Sequence, residues 1–343
     1  AKGVEDTAFY RYHRLVALNE VGGDPAQFGL SVEQFHATAT ARRRDWPQAM
    51  TTLSTHDTKR SEDVRARLVV LAEMPGDWAE AVRAWSARQP APDANLGYLT
   101  WQTLVGAWPL PAGRAGAYLH KAAREAKQHT TWADPDEAYE AALADFLAAV
   151  YADAALLADI AAFAGRITPP GRSNSLSQKL VQLTMPGIPD VYQGSELWDL
   201  SLVDPDNRRP VDFALRRDLL ARLDADRPPS TADDRHGLAK LHVVAQALRL
   251  RADRPEAFAG SYDPLAATGP GGDHALAFAR GGDVVTVATR LPVGLRRRGG
   301  WQDATLGLPP GTWVDRLGGG EHAGSTPLTR VLAGLPVALL IRT

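Results

Sequence analysis

The sequence predicts an α/β fold: the C-terminal part of a (β/α)8 TIM-type barrel with a large helical insertion, followed by a C-terminal all-β sandwich-like domain. Two short apolar runs, Met50–Ser54 and Ile188–Tyr192, alternate with helical patterns, and polar residues follow both runs directly. An alanine-rich helical stretch separates them, and alternating apolar segments with glycine turns close the chain. Two strands cannot close an eight-stranded barrel, so we expect the remaining strands upstream of residue 1.

The chain divides into four predicted segments, which differ in their patterning. They are the late barrel elements with the STHD strand end at 1–77, the helical insertion at 78–170, the last barrel strand and its helices at 171–256, and the β domain at 257–343.

Local signals punctuate these segments. Ser31 and Gln34 form a capping-box pattern, which predicts that a helix begins there and runs to about Trp46. The run Thr168-Pro169-Pro170-Gly171 predicts a loop, because proline disrupts helix interiors, and a helix is expected at 174–185. Gly281-Gly282-Asp283 separates two alternating apolar runs and predicts a β-hairpin.

Composition argues against several classes of function. The 343 residues contain 38 Lys and Arg and 40 Asp and Glu, a net charge of -2 without a basic stripe, so neither nucleic acid nor a membrane is an expected partner. The absence of cysteine excludes disulfides and thiolate metal sites. No apolar run approaches the roughly 18 residues of a membrane span, and a cytoplasmic location is expected. Histidines show no metal-ligand spacing, so no metal or cofactor is expected.

The strongest candidates for chemistry are His56 and Asp57, which follow the first predicted strand. A carboxylate at the catalytic face of a barrel can accept hydrogen bonds from sugar hydroxyls, and a neighbouring histidine can donate one. Alternatively, Asp57 simply caps the next helix. Lys59 and Arg60 either orient Asp57 or a substrate, or lie in a solvated first turn, although the helix dipole disfavours cations there.

Two further polar segments have both a functional and a structural interpretation. The opening AKGVEDTAFYRY mixes charged and aromatic residues, as carbohydrate subsites do, but the composition of the run alone favours an ordinary packed loop. The segment DPDNRRPVD at 204–212 lacks EF-hand spacing and favours a salt-bridged turn bounded by prolines. Glu196 is either catalytic or satisfies backbone groups, and we favour the structural role.

Three motifs together resemble the maltooligosyltrehalose synthase family of α-amylase-like glycoside hydrolases. They are AKGVEDTAFYRY at 1–12, STHDTKRSEDVRAR at 54–67 and MPGIPDVYQGSELWDLSLVDPDNRRPVD at 185–212. The first motif is rather specific to this family, whereas the T-H-D and P-G-I-P segments occur more widely among amylases. The resemblance extends over essentially the whole chain.

The resemblance implies an intramolecular transglycosylation, in which the reducing-end α-1,4 linkage of a maltooligosaccharide becomes α,α-1,1. It implies that Asp57 stabilises the transition state, while His56 and Lys2 bind sugar. Arg60, Glu5 and Tyr10 are weaker candidates for substrate binding. The family's nucleophile lies in a G-x-R-x-D segment that this sequence lacks, and Glu196 does not match its acid/base.

Both missing groups are therefore expected upstream, in a further part of the same enzyme, and the isolated chain is expected to be inactive. Two alternatives stay open. One is a fragment of another α-glucan hydrolase or a 4-α-glucanotransferase, which would share STHD and PGIP. The other is a non-catalytic glucan-binding fragment.

Overall fold

The structure is a computed structural model that describes residues 4–225 and 236–343. It mixes helices with mainly antiparallel sheets and divides into two compact units. The first comprises Ala1–Phe28, His56–Gly171 and Leu200–Arg209, and the second comprises Gly29–Thr55, Arg172–Asp199 and Pro210–Thr343.

The described helices and strands follow one another along the chain in two runs, first mostly helical and then mostly β. The helices are α1 Val4–Ala8, α2 Val32–Asp45, α3 Glu62–Leu68, α4 Pro75–Arg88, α5 Ala94–Ala107, α6 Ala112–Ala126, α7 Glu137–Ala152, α8 Ala154–Thr184, α9 Phe213–Ala225, α10 Leu238–Asp253, α11 Pro255–Ala259, α12 Pro292–Arg297 and α13 Leu328–Val331. The strands are β1 Met50–Thr51, β2 Ile188–Pro189, β3 Tyr262–Leu265, β4 Ala267–Thr268, β5 Ala275–Arg280, β6 Val284–Thr289, β7 Thr305–Gly307, β8 Trp313–Asp315, β9 Glu321–His322, β10 Ser325–Pro327 and β11 Val337–Arg342.

Aromatic side chains form much of the core of the helical layer in the first unit. Trp85 contacts the rings of Trp78, Trp101 and Phe163 at centroid separations of 5.9, 5.8 and 5.7 Å. Trp101 also contacts Phe146 at 5.7 Å. Edge-to-face and tilted pairs of this kind add to the stabilisation that burial provides. Trp78, Trp85 and Trp101 therefore contribute to the packing of this core.

The prediction of a loop at Thr168–Gly171 is wrong. These residues lie inside α8, which includes Pro169 and Pro170. Gly171 explains part of this outcome, since a Cβ built there would lie 3.0 Å from the Cα of Arg67 in α3. The two helices approach closely at this glycine, and Thr168 donates its hydroxyl to the carbonyl of Ala164 at 2.8 Å. Tertiary packing outweighs the local proline signal here.

The first two predicted strands are much shorter than expected, with two residues each. β1 and β2 pair in parallel, with Met50 opposite Ile188 and Thr51 opposite Pro189. Pro189 has no N–H for the ladder. Directly after β1, the Thr52 hydroxyl donates to the carbonyl of Ser54 at 2.7 Å.

Two antiparallel sheets form the C-terminal part of the second unit. The six-stranded sheet has the order β3-β5-β6-β11-β8-β9 and the three-stranded sheet the order β10-β7-β4. The predicted hairpin is confirmed, since β5 and β6 pair with Ala279 opposite Val285. β7 and β8 are short, with three residues each.

Both faces of the six-stranded sheet are buried. Along β11, Val337 and Leu339 pack with the apolar side of α10 and the end of α8, whereas Ala338 and Leu340 pack in a second core with Leu306 of the smaller sheet. This alternation follows the two-residue period of a strand. It explains why β6 is apolar or small at every position and buried throughout.

Within 4–225 and 236–343, no single helix combines the length and apolarity needed to cross a bilayer. The helix pair α7 and α8, which is bent by 80° at the break between them, is long and apolar enough to span a bilayer on length and composition alone.

Candidate functional site

The loop that carries His56 and Asp57 presents both residues to solvent. The Asp57 side chain is 56% exposed, and His56 is also exposed. The Asp57 Oδ1 lies 3.0 Å from the Nζ of Lys59, which also donates to the Asp57 carbonyl at 2.9 Å. Lys59 itself is buried. The Asp57 side chain is therefore held by a buried cation while more than half of its surface faces solvent.

Lys59 connects the opening motif with the STHD motif. Its Nζ lies 3.8 Å from the Oδ1 of Asp6 in α1. The same Nζ lies over the Phe9 ring, 4.9 Å from its centroid, in a cation–π contact. The two motifs, about fifty residues apart in the chain, therefore meet at one ammonium group.

Glu20 holds the backbone that follows Asp57. Its Oε1 accepts from the N–H of Lys59 at 2.7 Å and its Oε2 from the N–H of Arg60 at 3.0 Å. Glu20 is buried, and its Oε1 also accepts from the N–H of Val21 at 2.9 Å. The sequence interpretation missed this residue, because no local pattern links it to a segment forty positions away.

Arg60 and Tyr10, two predicted substrate ligands, point inward. Arg60 is completely buried and donates from Nη2 to the Tyr118 hydroxyl at 2.8 Å. Its Nε has no hydrogen-bond partner among the described residues. Tyr10 is also buried, and burial together with nearby Tyr118 raises its pKa well above the usual range. These positions favour an indirect effect on any ligand, so direct substrate binding by either residue stays a prediction.

The two other predicted ligands lie at the start of the chain. Glu5 is exposed and accepts weakly from the N–H of Gly22 at 3.4 Å. Lys2 lies outside the described residues.

The DPDNRR segment contacts the backbone of the STHD loop. Asn207 donates from Nδ2 to the carbonyl of His56 at 2.9 Å. Asp206 receives two hydrogen bonds from Arg114, at 2.8 and 2.6 Å, and Asp204 receives one from Lys121 at 2.8 Å. This is the salt-bridged turn that the sequence favoured.

A pocket of about 260 Å³ lies between this segment and α6. It is lined by Gly113, Arg114, Ala117, Tyr118, Lys121, Val203, Asp204, Pro205, Asp206 and Arg209. The arginine and lysine side chains that line it are all occupied by the aspartates of the segment. The pocket therefore offers shape more than free charge.

Glu196 and the other acidic residues of the described ranges are the remaining candidates for a catalytic or metal centre. Glu196 forms an ion pair with Arg216, and the structural role that the sequence favours for it stays a prediction. Among the described residues, no group of three or more His, Asp or Glu side chains is arranged to hold a metal ion.

Comparison with known proteins identifies relatives over the whole chain. No protein-family model matches. A Mycobacterium tuberculosis protein named "Putative maltooligosyl trehalose synthase" is 46% identical over 350 aligned positions, which cover 100% of this chain and 44% of that protein. The chain thus spans less than half the length of this curated relative.

Solved structures that resemble this chain have the same family name. Maltooligosyltrehalose synthase from Arthrobacter ramosus superposes with a TM-score of 0.95 at 45% identity, over 99% of this chain and 45% of that one. A hypothetical maltooligosyl trehalose synthase of Sulfolobus tokodaii gives a TM-score of 0.79 at 29% identity, over 98% and 45% of the two chains. By identity and by fold, the chain belongs to the maltooligosyltrehalose synthase family and corresponds to a C-terminal fragment of its members.

Proposed function

We propose that this chain supplies the C-terminal part of an enzyme that rearranges the reducing end of maltooligosaccharides. In this reaction an α-1,4 linkage is converted within the same molecule to α,α-1,1, which gives a trehalose-ended glucan. The observation that carries the proposal is the 46% identity across the full chain to a protein named as a maltooligosyl trehalose synthase.

The proposed architecture is the last part of a (β/α)8 barrel, with 78–170 as a helical insertion and 257–343 as a β domain. The parallel pairing of β1 and β2 supports it, because adjacent barrel strands are parallel. In such a barrel the loops after the strand ends carry the chemistry. His56 and Asp57 follow β1 by a few residues in the chain.

Asp57 is proposed to stabilise the transition state. An oxocarbenium-like sugar develops positive charge, and its hydroxyl groups form stronger hydrogen bonds to a carboxylate as the charge grows. The exposed carboxylate of Asp57, restrained by buried Lys59, suits this role because little reorganisation is needed when the charge develops. The covalent steps would require a nucleophile and an acid/base from the upstream part of the enzyme.

The other predicted ligands have supporting roles in this proposal. His56 donates to a hydroxyl of the sugar that is being transferred, while Lys2 and Glu5 hold the reducing-end glucose as it turns over. Arg60 and Tyr10 act from inside the fold, where Arg60 fixes the chain beside Asp57.

The test uses the full-length protein with maltopentaose. Reducing ends and free glucose are followed together: loss of reducing ends without equivalent glucose indicates the rearrangement. Asp57→Asn should lower kcat by about 10²-fold or more, as loss of a transition-state contact does. The matched control is Asp77→Asn, an aspartate paired with Arg166 on the surface, which should leave kcat unchanged. Normal turnover by Asp57→Asn would refute the role of Asp57.

The products separate the proposal from its rivals. Glucose, maltose or longer linear glucans in place of trehalose-ended products would identify a hydrolase or a 4-α-glucanotransferase. The 343-residue chain alone should leave both reducing ends and glucose unchanged, because it contains no G-x-R-x-D segment.

A further inference from the structure

We infer that Glu20 is a positioning residue for Asp57: its buried carboxylate fixes the turn from which Lys59 holds the Asp57 side chain. The inference rests on the proposed role of Asp57. Nothing in the local sequence around Glu20 suggests it, and the assignment depends on contacts that only the folded chain creates.

Both oxygens of the Glu20 carboxylate accept from the backbone, and Oε2 also lies 4.0 Å from the Nε of Arg65. One oxygen accepts from the N–H groups of Lys59 and Val21, at 2.7 and 2.9 Å, and the other accepts from the N–H of Arg60 at 3.0 Å. Hydrogen bonds to an ionised acceptor are roughly twice as strong as neutral ones. Glu20 is only 6% exposed, so water does not replace these bonds readily.

These three bonds explain why a carboxylate is needed. The turn lies directly before α3, which begins at Glu62. Glu20 accepts from two N–H groups of this turn, those of Lys59 and Arg60, and from the N–H of Val21. A glutamine has one acceptor oxygen, so its NH2 group would face either the N–H of Arg60 or the N–H groups of Lys59 and Val21. At least one buried donor would then be left without a partner, which is costly.

Lys59 transmits this constraint to Asp57. Its backbone N–H is held by Glu20, and its Nζ is held 3.0 Å from the Asp57 Oδ1 and 2.9 Å from the Asp57 carbonyl. Both ends of one residue are therefore fixed, and Asp57 is fixed through it. A displacement of about 1 Å at a reacting group can lower the rate by about 10²-fold.

The experiment compares Glu20→Gln with Glu125→Gln in the full-length protein, with maltopentaose as substrate. Glu125 is equally buried at 6% exposure, and its carboxylate accepts from the Trp132 Nε1 at 3.0 Å. We expect Glu20→Gln to lower kcat by about 10- to 100-fold while KM stays within about twofold, because the lost interaction acts mainly in the transition state. We expect Glu125→Gln to lower Tm by about as much as Glu20→Gln does. Unlike Glu20→Gln, it should leave kcat unchanged.

Two further measurements keep the inference falsifiable if Glu20→Gln does not fold. Glu20→Asp keeps the charge and both oxygens but shortens the side chain, so it should fold and show an intermediate loss of kcat. In the unaltered protein, the amide protons of Lys59 and Arg60 should exchange slowly with solvent. Fast exchange at both positions would overturn the inference.

The outcomes also separate this inference from the proposed function. If Asp57→Asn turns over normally, the proposed role of Asp57 fails. If Asp57→Asn is impaired while folded Glu20→Gln has normal kcat, only the role of Glu20 fails. Equal losses of kcat in Glu20→Gln and Glu125→Gln would reduce Glu20 to a general stabilising residue.

Discussion

The ammonium group of Lys59 lies 3.0 Å from the Oδ1 of Asp57, with the lysine buried and the aspartate more than half exposed. The pair is therefore asymmetric, since a fixed buried cation orients a carboxylate that still faces solvent. Asp6 and the Phe9 ring complete the surroundings of the ammonium group. Orientation of the carboxylate, more than strength of the pair, is what this arrangement provides.

Substitution of Lys59 by methionine should separate activity from stability. A buried lysine replaced by an apolar side chain of similar length changes the free energy of unfolding little, within about 1 kcal/mol, because the desolvation cost of the charge disappears with it. Asp57 loses its anchor, so kcat of the full-length protein should fall by about tenfold or more. Turnover of maltopentaose and thermal melting measure the two effects.

The control for this prediction is Arg166→Met, which removes a surface ion pair with Asp77. It should change neither kcat nor Tm appreciably, since exposed pairs contribute little. A Lys59→Met protein with unchanged kcat would show that Asp57 needs no anchor.

Removal of the Asp206 carboxylate should destabilise the segment that contacts the STHD loop. Burial alone would raise the pKa of Asp206, but hydrogen bonds from Arg114 and from the N–H of Leu202 outweigh it, so the pKa is lowered. Asp206→Ala leaves the Arg114 guanidinium without this partner and should reduce the free energy of unfolding by about 2–4 kcal/mol. Thermal melting at pH 7 measures the loss.

The pH dependence of the same group follows from the direction of its shift. Because the folded-state pKa lies below the unfolded value of about 3.9, the contribution of Asp206 is present above that pH and is lost as the pH falls through the folded pKa. Wild type and Asp206→Ala should therefore converge in Tm in strong acid. Asp204→Asn, at a more exposed pair, should cost less than about 1 kcal/mol. A cost at Asp204 equal to that at Asp206 would contradict this explanation.

Features encoded by neighbouring residues could be predicted from the sequence. The capping box at Ser31 is present, with its hydroxyl accepting from the Gln34 N–H at 3.1 Å and the Gln34 side chain accepting from the Ser31 N–H at 2.8 Å. The hairpin between β5 and β6 is present as well. Both depend on a few adjacent positions, so they can be recognised in the sequence without knowledge of the fold.

Features that depend on distant contacts could not be predicted in this way. Glu20 meets the N–H of Lys59 only through the fold, and Arg60 is buried by contacts such as that with Tyr118, 58 positions away. The same limit applies to the prolines in α8, which are tolerated where Gly171 packs on Arg67. Local signals single out Asp57 as a candidate, but they do not show which side chains hold it.

The stability of the second unit should depend on the protonation of Asp315. Burial raises the pKa of this residue to about 6, although the N–H groups of Leu317, Gly318 and Leu339 donate to its carboxylate. Because the folded pKa exceeds the unfolded value of about 3.9, the stabilisation is complete below about pH 4 and is lost as the pH rises through about 6. The difference amounts to about 2–3 kcal/mol.

The measurement compares wild type with Asp315→Asn across pH 4 to 7, using the Tm of the second unit. The variant removes the titration of this one group. Buried His242 and His322 in the same unit, whose pKa values burial lowers, oppose the trend in acid, but they are common to both proteins. The Tm difference between the two proteins should therefore change steadily in favour of wild type as the pH falls. A pH-independent difference would refute the role of Asp315.

Two glycines six positions apart in α8 should respond oppositely to alanine. Gly165 is exposed, and a Cβ built there meets no atom within 4 Å. Since alanine reduces the entropy that the helix must lose on folding, Gly165→Ala should stabilise the protein by about 0.5–1 kcal/mol. At Gly171 the added Cβ would lie 2.7 Å from the Arg67 Cγ and 3.0 Å from its Cα, so Gly171→Ala should destabilise by about 1–3 kcal/mol. Because the helix, the substitution and the added atom are the same, only the space beside each glycine differs. Thermal melting of both variants measures the two effects. Stabilisation by Gly171→Ala would contradict this prediction. It would mean that the prolines in α8, not the contact between α8 and α3, limit the stability of this helix.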